Sequence, residues 1–306
     1  MFKRFAPLCK NLEQTCPATA FGISAVSLIR RTGSRSNSIL IEATDGLKYV
    51  VKIPIGRSGA RSALREALGS ELATLIGLPV PPWQPIFLSE SFIRNCPEIS
   101  SESLDSAREW PTSGYYFGSQ CFGTRAGDRI YDYLPVTWMD RIENRADFVG
   151  MLLLDLWANN TRRRQAIFIH REKETAVRVA FIGHRQMFAS EHCVFLQPLA
   201  TRYSDSRIYR DHWTESTFSY WRDRIASLTE STLTGFVPRM PGDWSKNCDV
   251  DQIVSVLLVR QKILQNIRWD SIRPCDQQSR APFADLPIRP QETLHGFFSI
   301  PALIGA

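Results

Sequence analysis

The chain lacks any paired cysteine motif. Its seven cysteines, Cys9, Cys16, Cys96, Cys121, Cys193, Cys248 and Cys275, include no C-x-x-C pair. An odd number with that spacing excludes a zinc ribbon and a fully paired disulfide framework. Histidine is scarce too. His170, His184, His192, His212 and His295 form no H-E-x-x-H motif, which excludes the common helical metal-hydrolase site. No apolar run reaches the roughly 18 residues of a membrane span, so no membrane partner is expected. The basic segment Met1–Lys10 is followed by neither an apolar stretch nor a small-residue cleavage site. A secretory leader is therefore not expected, and a reducing cytoplasm is the expected compartment. A one-sided charge is also missing: 37 basic against 31 acidic residues leave a formal +6, weak support for nucleic-acid binding.

What is present is ample for a large core. The 306 residues are 43% hydrophobic, so the chain needs no disulfide or metal to fold. The first strong local signal is a β-hairpin. Ser38–Ala43 and Tyr49–Ile53 flank Thr44-Asp45-Gly46, and Asp-Gly is a turn signal. In the second strand Tyr49, Val51 and Ile53 share one face, while Val50 and Lys52 share the other. Before the hairpin lies a small, polar, basic loop from Arg30 to Asn37 that contains Gly33 and Ser34.

A helix is expected from about 61 to 76, because Leu64, Leu68, Leu72, Leu75 and Ile76 form one stripe. Gly77 and Pro79 end it. Strands are expected at 86–88, 114–122 and 129–134, with a polar surface insertion at 95–113. The chain then turns helical. Residues 146–157 read as a core helix, followed by the polar loop Asn159–Gln165. Strands at 166–170 and 176–182 come next, closed by Gly183-His184-Arg185. Further helices are expected at about 214–229 and 249–268, the latter capped by Asp249. This pattern is α+β in two lobes: a β-rich N-terminal lobe with one amphipathic helix over 1–135, and a mainly helical lobe over 136–273. Residues 274–306 form a proline-rich tail, and 1–20 a loose arm.

The order of parts is that of a protein kinase: a small-residue loop, a lysine on the next strand, a glutamate on the following helix, then a catalytic loop, a hairpin and a metal-binding turn. Lys52 lies on an otherwise apolar strand, so its ammonium needs an anion or solvent. On the strand alone, a lysine at the rim of a half-buried sheet is the plainer account.

The stretches "DGLKYVVKIP" at 45–54, "REALGSELATLIGLPVP" at 65–81, "YYFGSQCFG" at 115–123, "YDYLP" at 131–135, "DFVGMLLLDLWANNTRRRQAIF" at 147–168 and "VAFIGHRQMF" at 179–188 resemble the HipA-like kinases, a family of bacterial Ser/Thr kinases. The resemblance covers roughly residues 25–270. It implies a bilobal, protein-kinase-like fold that takes ATP. It also implies that Gly33 and Ser34 cradle phosphates, Lys52 contacts them and Glu66 orients Lys52. Asp132 then lies in a segment near the interlobe hinge, and Asn160 in the catalytic loop.

Two departures from the family pattern stand out. Sequences that resemble this one read W-x-x-N-x-D in the catalytic loop; here Trp157 and Asn160 fit, and Arg162 takes the aspartate position. They read F-I-D before the metal-binding turn; here Phe181 and Ile182 fit, and Gly183 takes the aspartate position. Phosphoryl transfer needs a carboxylate for the hydroxyl and oxygen ligands for Mg²⁺. The expectation is a pseudokinase that binds an adenine nucleotide or phosphate, with Gln165 and Arg164 as phosphate contacts, without a metal and with little or no transfer. Three alternatives stay open. Asp155, five residues before Asn160, reproduces a D-x-x-x-x-N spacing and would keep an active kinase. A protein substrate or partner would use the same scaffold. Nucleic acid would use the arginines interleaved with Tyr203, Tyr209, Trp213, Tyr220 and Trp221.

Overall fold

The computed structural model describes residues 22–32, 38–53, 59–96, 99, 111–122, 128–188, 203–246, 250–272 and 274. The expected arm at 1–20, the Gly33–Ser34 loop, most of the 95–113 insertion, Asp249 and the tail beyond 274 lie outside the described residues.

The N-terminal part is one antiparallel sheet with a helix against it. Its strands are β1 (Ala25–Arg31), β2 (Ser38–Ala43), β3 (Lys48–Lys52), β4 (Trp83–Leu88) and β5 (Gly114–Gln120), in the order β1-β2-β3-β5-β4. The hairpin forms as its alternation dictates. Ser38 faces Lys52 and Ile41 faces Tyr49 across β2 and β3, around Asp45-Gly46. Tyr49, Val51 and Ile53 are buried in a core with Ile39, Ile41 and Ile86, which leaves Val50 and Lys52 on the opposite face. Helix α1 (Gly59–Leu75) follows β3, and the short α2 (Glu90–Arg94) follows β4. Pro85 lies inside β4, which the topology explains: β4 is an edge strand, where a missing N–H costs no ladder bond.

The second part contains a three-stranded antiparallel sheet of β6 (Arg129–Tyr131), β7 (Gln165–His170) and β8 (Val177–Ile182). Helices α3 (Asp147–Trp157), α4 (Glu215–Ala226), α5 (Glu230–Thr234), α6 (Gly242–Ser245) and α7 (Val250–Gln265) complete it. Helix α3 is apolar all round and, after Asp147, buried all round, as a central helix must be. Phe148 on α3 meets Phe181 edge-on at 5.0 Å and Tyr203 at 5.1 Å. Among the described residues no helix is long and apolar enough to cross a membrane.

One boundary shifts. The sequence reading puts Arg129–Leu134 with the first lobe and the crossover near Pro135. Strand β6 instead pairs with β7, Ile130 opposite Ile169, so the chain has already crossed.

The end of α3 is held from α7. Arg260 is buried and donates from Nε to the Trp157 carbonyl at 2.6 Å and from its second terminal nitrogen to the Leu156 carbonyl. Trp157 returns a bond from Nε1 to the Leu257 carbonyl at 2.8 Å. These donors satisfy carbonyls that a helix C-terminus leaves open, and the guanidinium opposes the negative end of the dipole. Replacing Arg260 with Met should therefore cost about 1–3 kcal/mol. In urea titrations the midpoint should fall with little change in slope; an unchanged midpoint would contradict this brace.

Candidate functional site

A cleft opens between the two sheets. Its walls are apolar, with Val50, Pro81, Phe117, Phe122, Ile167 and Phe181 among them, and its polar end carries Lys52, Glu66, Ser70, Gly183 and His184. Concave apolar walls with few polar groups are the usual build of a small-molecule site. The chain enters the cleft from β5 through Gln120 and Phe122, which line it. This link, and not the later segment 131–135, joins the two sheets. Asp132 follows β6, is exposed and does not line the cleft.

Alternation along β3 turns Lys52 into the cleft, and the apolar stripe of α1 turns Glu66 the same way. The two side chains form an ion pair, with Glu66 almost completely buried. Glu66 Oε2 accepts the backbone N–H of His184 at 2.8 Å. Both carboxylate oxygens are thus engaged, one from the first sheet and one from the turn after β8. Lys52 Nζ also lies 5.6 Å from the centre of the Phe117 ring, a cation–π contact. Close approach of that turn to α1 depends on Gly69: a Cβ there would fall 2.4 Å from the His184 Cβ.

The second half of the site is built around a buried ion pair. Asp155 on α3 accepts from Arg164 Nε at 2.9 Å and from a second nitrogen of the same guanidinium. Asn160 Nδ2 adds a bond to Asp155 at 2.9 Å. Asn160 Oδ1 meanwhile takes the Arg162 N–H at 3.1 Å, so this side chain braces the loop. Burial pushes the Asp155 carboxyl up, while Arg164 and Asn160 pull it back. The remaining Arg164 nitrogen donates to the carbonyls of Ile182 at 3.0 Å and Gly183 at 3.2 Å, and lies 3.3 Å from His184 Nδ1. An arginine only donates, so in this contact Nδ1 would be the acceptor. His184 Nε2 finds no partner among the described residues.

Two sequence expectations change here. The basic triplet points Arg164 at an anion; in the fold it is buried, and its charge is spent on Asp155. The D-x-x-x-x-N spacing points Asp155 at a hydroxyl; in the fold both its oxygens are occupied inside the core. Arg162 and Arg163 are exposed, as is Gln165. Gly183 adopts φ +79°, and Gln165 Oε1 lies 2.6 Å from where its Cβ would stand. The Gln165 amide thus fills the space of a side chain at residue 183. The interleaved aromatics also turn inward. Tyr203, Tyr209 and Trp221 are buried, and Trp213 donates to the Trp269 carbonyl at 3.2 Å. Of these, Tyr220 alone is exposed.

His184 and Phe117 carry no functional signal of their own in the sequence. Nothing local marks either one, because their roles come from the meeting of α1, β5 and the turn after β8.

The donor set does not suit a divalent cation. Among the described residues no cluster of three or more His, Cys, Asp or Glu could hold one. Residue 183 has no side chain, Asp155 is closed off by Arg164, and position 162 is a cation. Mg²⁺ requires oxygen ligands in near-octahedral array.

Comparison with known proteins gives a family and a fold. The sequence pattern of the HipA-like kinases matches residues 26–271. The Golgi casein kinase superposes with a TM-score of 0.54 at 9% identity, over 79% of this chain and 72% of that chain. The Golgi casein kinase with Mn and ADP bound gives 0.52 at 9% identity, over 79% and 71%. HipA of Shewanella oneidensis MR-1, in its complex with HipB and operator DNA, gives 0.46 at 10% identity, over 89% and 77%. Curated proteins returned no match. At these identities the two casein kinase structures establish the kinase fold alone.

His184 makes stability sensitive to acid. Burial, then Arg164 and Lys52, hold its imidazole well below the ordinary value. Below about pH 6.5 the unfolded chain takes up a proton that the folded ring refuses. Stability should then fall as pH drops from 7 towards 5, by at most about 1.4 kcal/mol per pH unit from this residue. His212 is shifted in the same direction, so the readout is the difference between wild type and His184→Gln. The variant should show a flatter dependence in urea titrations across that window; equal slopes would contradict the assignment.

Proposed function

The chain belongs to the HipA-like kinase family, and on that premise we propose that it binds an adenine nucleotide in the Lys52 cleft and carries out little or no phosphotransfer. The observation that carries this reading is a divided site. The half that holds a nucleotide in kinases keeps its ion pair: a lysine on a strand, paired to a glutamate on the next helix. The half that performs transfer lacks its acids, with Arg162 and Gly183 in their places.

Each half has a physical consequence. A nucleotide base fits the apolar walls, and its phosphates meet the Lys52 ammonium at the polar end. The pair with Glu66 fixes that ammonium, so little side-chain freedom is lost on binding. Transfer asks for more. A carboxylate must orient the attacking hydroxyl, and metal ions must neutralise charge on the transferred group. A guanidinium at residue 162 orients no hydroxyl and repels a divalent ion. The casein kinase of the same fold, solved with Mn and ADP, supports a nucleotide as the ligand on grounds of fold alone.

An active kinase with Asp155 as base is the competing reading. It requires Arg164 to release both oxygens of a fully buried carboxylate, and breaking such a pair costs about 3–5 kcal/mol. A binding module for a protein partner is compatible with the same scaffold and needs no catalytic acid.

The test pairs binding with transfer. ATP at about a hundred times its dissociation constant should stabilise the protein by about 2.7 kcal/mol, read as a rise in Tm. Lys52→Ala, shown folded by circular dichroism, should bind at least about tenfold more weakly, since a hydrogen bond to a charged group is lost. With γ-labelled ATP and Mg²⁺, no label should pass to the protein or to casein. Label transfer above background would sink the pseudokinase reading, and unchanged binding in Lys52→Ala would move the phosphate site elsewhere.

A further inference from the structure

Three arginines lie on the loops that adjoin the cleft-lining Gly183 and His184. Most arginines in the fold are committed: Arg145 to Asp140, Arg178 to Glu143, Arg207 to Asp205, Arg239 to Glu71. Arg162, Arg163 and Arg185 are exposed, and their guanidinium groups have no partner among the described residues; the same is true of Arg129 and Arg210, which lie on other segments.

The fold brings the two segments that carry these three together. Strands β7 and β8 pair from Gln165 opposite Ile182. Beyond that pair the two loops continue side by side, and the Thr161 N–H reaches the Gln186 carbonyl at 3.2 Å. Arg162 and Arg163 therefore lie across from the turn that carries Arg185. Arg164 clamps the same loops from beneath through the carbonyls of Ile182 and Gly183. The turn is in turn bound to the cleft, because the His184 N–H rests on Glu66, the partner of Lys52.

Three uncompensated cations on adjoining turns repel one another unless an anion joins them. Guanidinium matches phosphate oxygens in a bidentate fork, and the patch is all arginine. His184, a cleft-lining residue that is 2% exposed, adds a ring nitrogen, Nε2, with no partner among the described residues.

Resting on the nucleotide reading above, we propose that Arg162, Arg163 and Arg185 form a subsite for the outer phosphates of a metal-free nucleoside triphosphate. The arginines supply the positive charge that a divalent cation supplies where the two acids are present. The same substitutions that remove transfer thereby create an anion site. Bound metal would neutralise the phosphates that the arginines recognise, so it offers no gain here.

Isothermal titration in EDTA with adenosine, AMP, ADP and ATP tests this directly. Wild type should bind ATP at least about a hundredfold more tightly than adenosine, the scale of one charged contact from Lys52 and a second from the arginines. In Arg162→Gln/Arg163→Gln/Arg185→Gln that gain should shrink to the roughly tenfold that Lys52 supplies, with adenosine affinity unchanged. All three positions are exposed, and an unchanged Tm checks that the variant is folded. The milder Arg162→Gln/Arg185→Gln variant should fall between. Excess Mg²⁺ should leave wild-type affinity unchanged or weaken it. Adenosine binding with no gain from added phosphates, or a gain that is undiminished in the triple variant, overturns the subsite alone. Tighter ATP binding only with Mg²⁺ overturns it as well. Failure of every nucleotide, adenosine included, overturns the nucleotide reading and the subsite with it.

Discussion

The site depends on one buried carboxylate. Glu66 lies in the interior of the fold, where an ionised carboxylate must be matched on each oxygen. One oxygen takes the Lys52 ammonium from β3 and the other takes the His184 N–H from the turn after β8. A single side chain on α1 thereby ties the first sheet to the second part of the molecule. The tie is short-range, so α1 and the turn must almost touch. Gly69 makes that contact available, since any side chain there meets His184 and Met187.

A second buried pair does for the catalytic loop what Glu66 does for the cleft. Asp155 and Arg164 neutralise each other inside the core, and Arg164 extends to the carbonyls before His184. The loop and the turn keep their relative placement although neither carries a carboxylate. A buried pair of this kind is weak support for stability but strong support for a unique arrangement of the groups it joins. On the proposed reading, the arrangement of a kinase site is retained while its charge is inverted.

Much of this was legible in the sequence, for local reasons. The Asp45-Gly46 hairpin, the stripe of α1 and the apolar run of α3 each follow from spacing within one segment. Lys52 and Glu66 stood out because their order along the chain is that of a kinase, and the fold pairs them. Strand β1 was not legible: register breaks between Ala25 and Ser27 and between Leu28 and Arg30 destroy its alternation. The lobe crossing was misplaced because β6 finds its partner far along the chain, which no local pattern reveals. Arg164 was misread for a similar reason. Within Arg162-Arg163-Arg164 nothing distinguishes the one side chain that folds inward to meet Asp155.

The central claim is that this cleft takes its nucleotide without a divalent cation. Electron paramagnetic resonance of Mn²⁺ addresses it directly, since the ion's spectrum changes when a protein joins its coordination sphere. Protein, ATP and Mn²⁺ should give the spectrum of Mn²⁺ and ATP alone, while ATP bound in EDTA is detected in parallel by titration. A spectrum altered by the protein in an ATP-dependent manner, and lost in Lys52→Ala, would contradict the account.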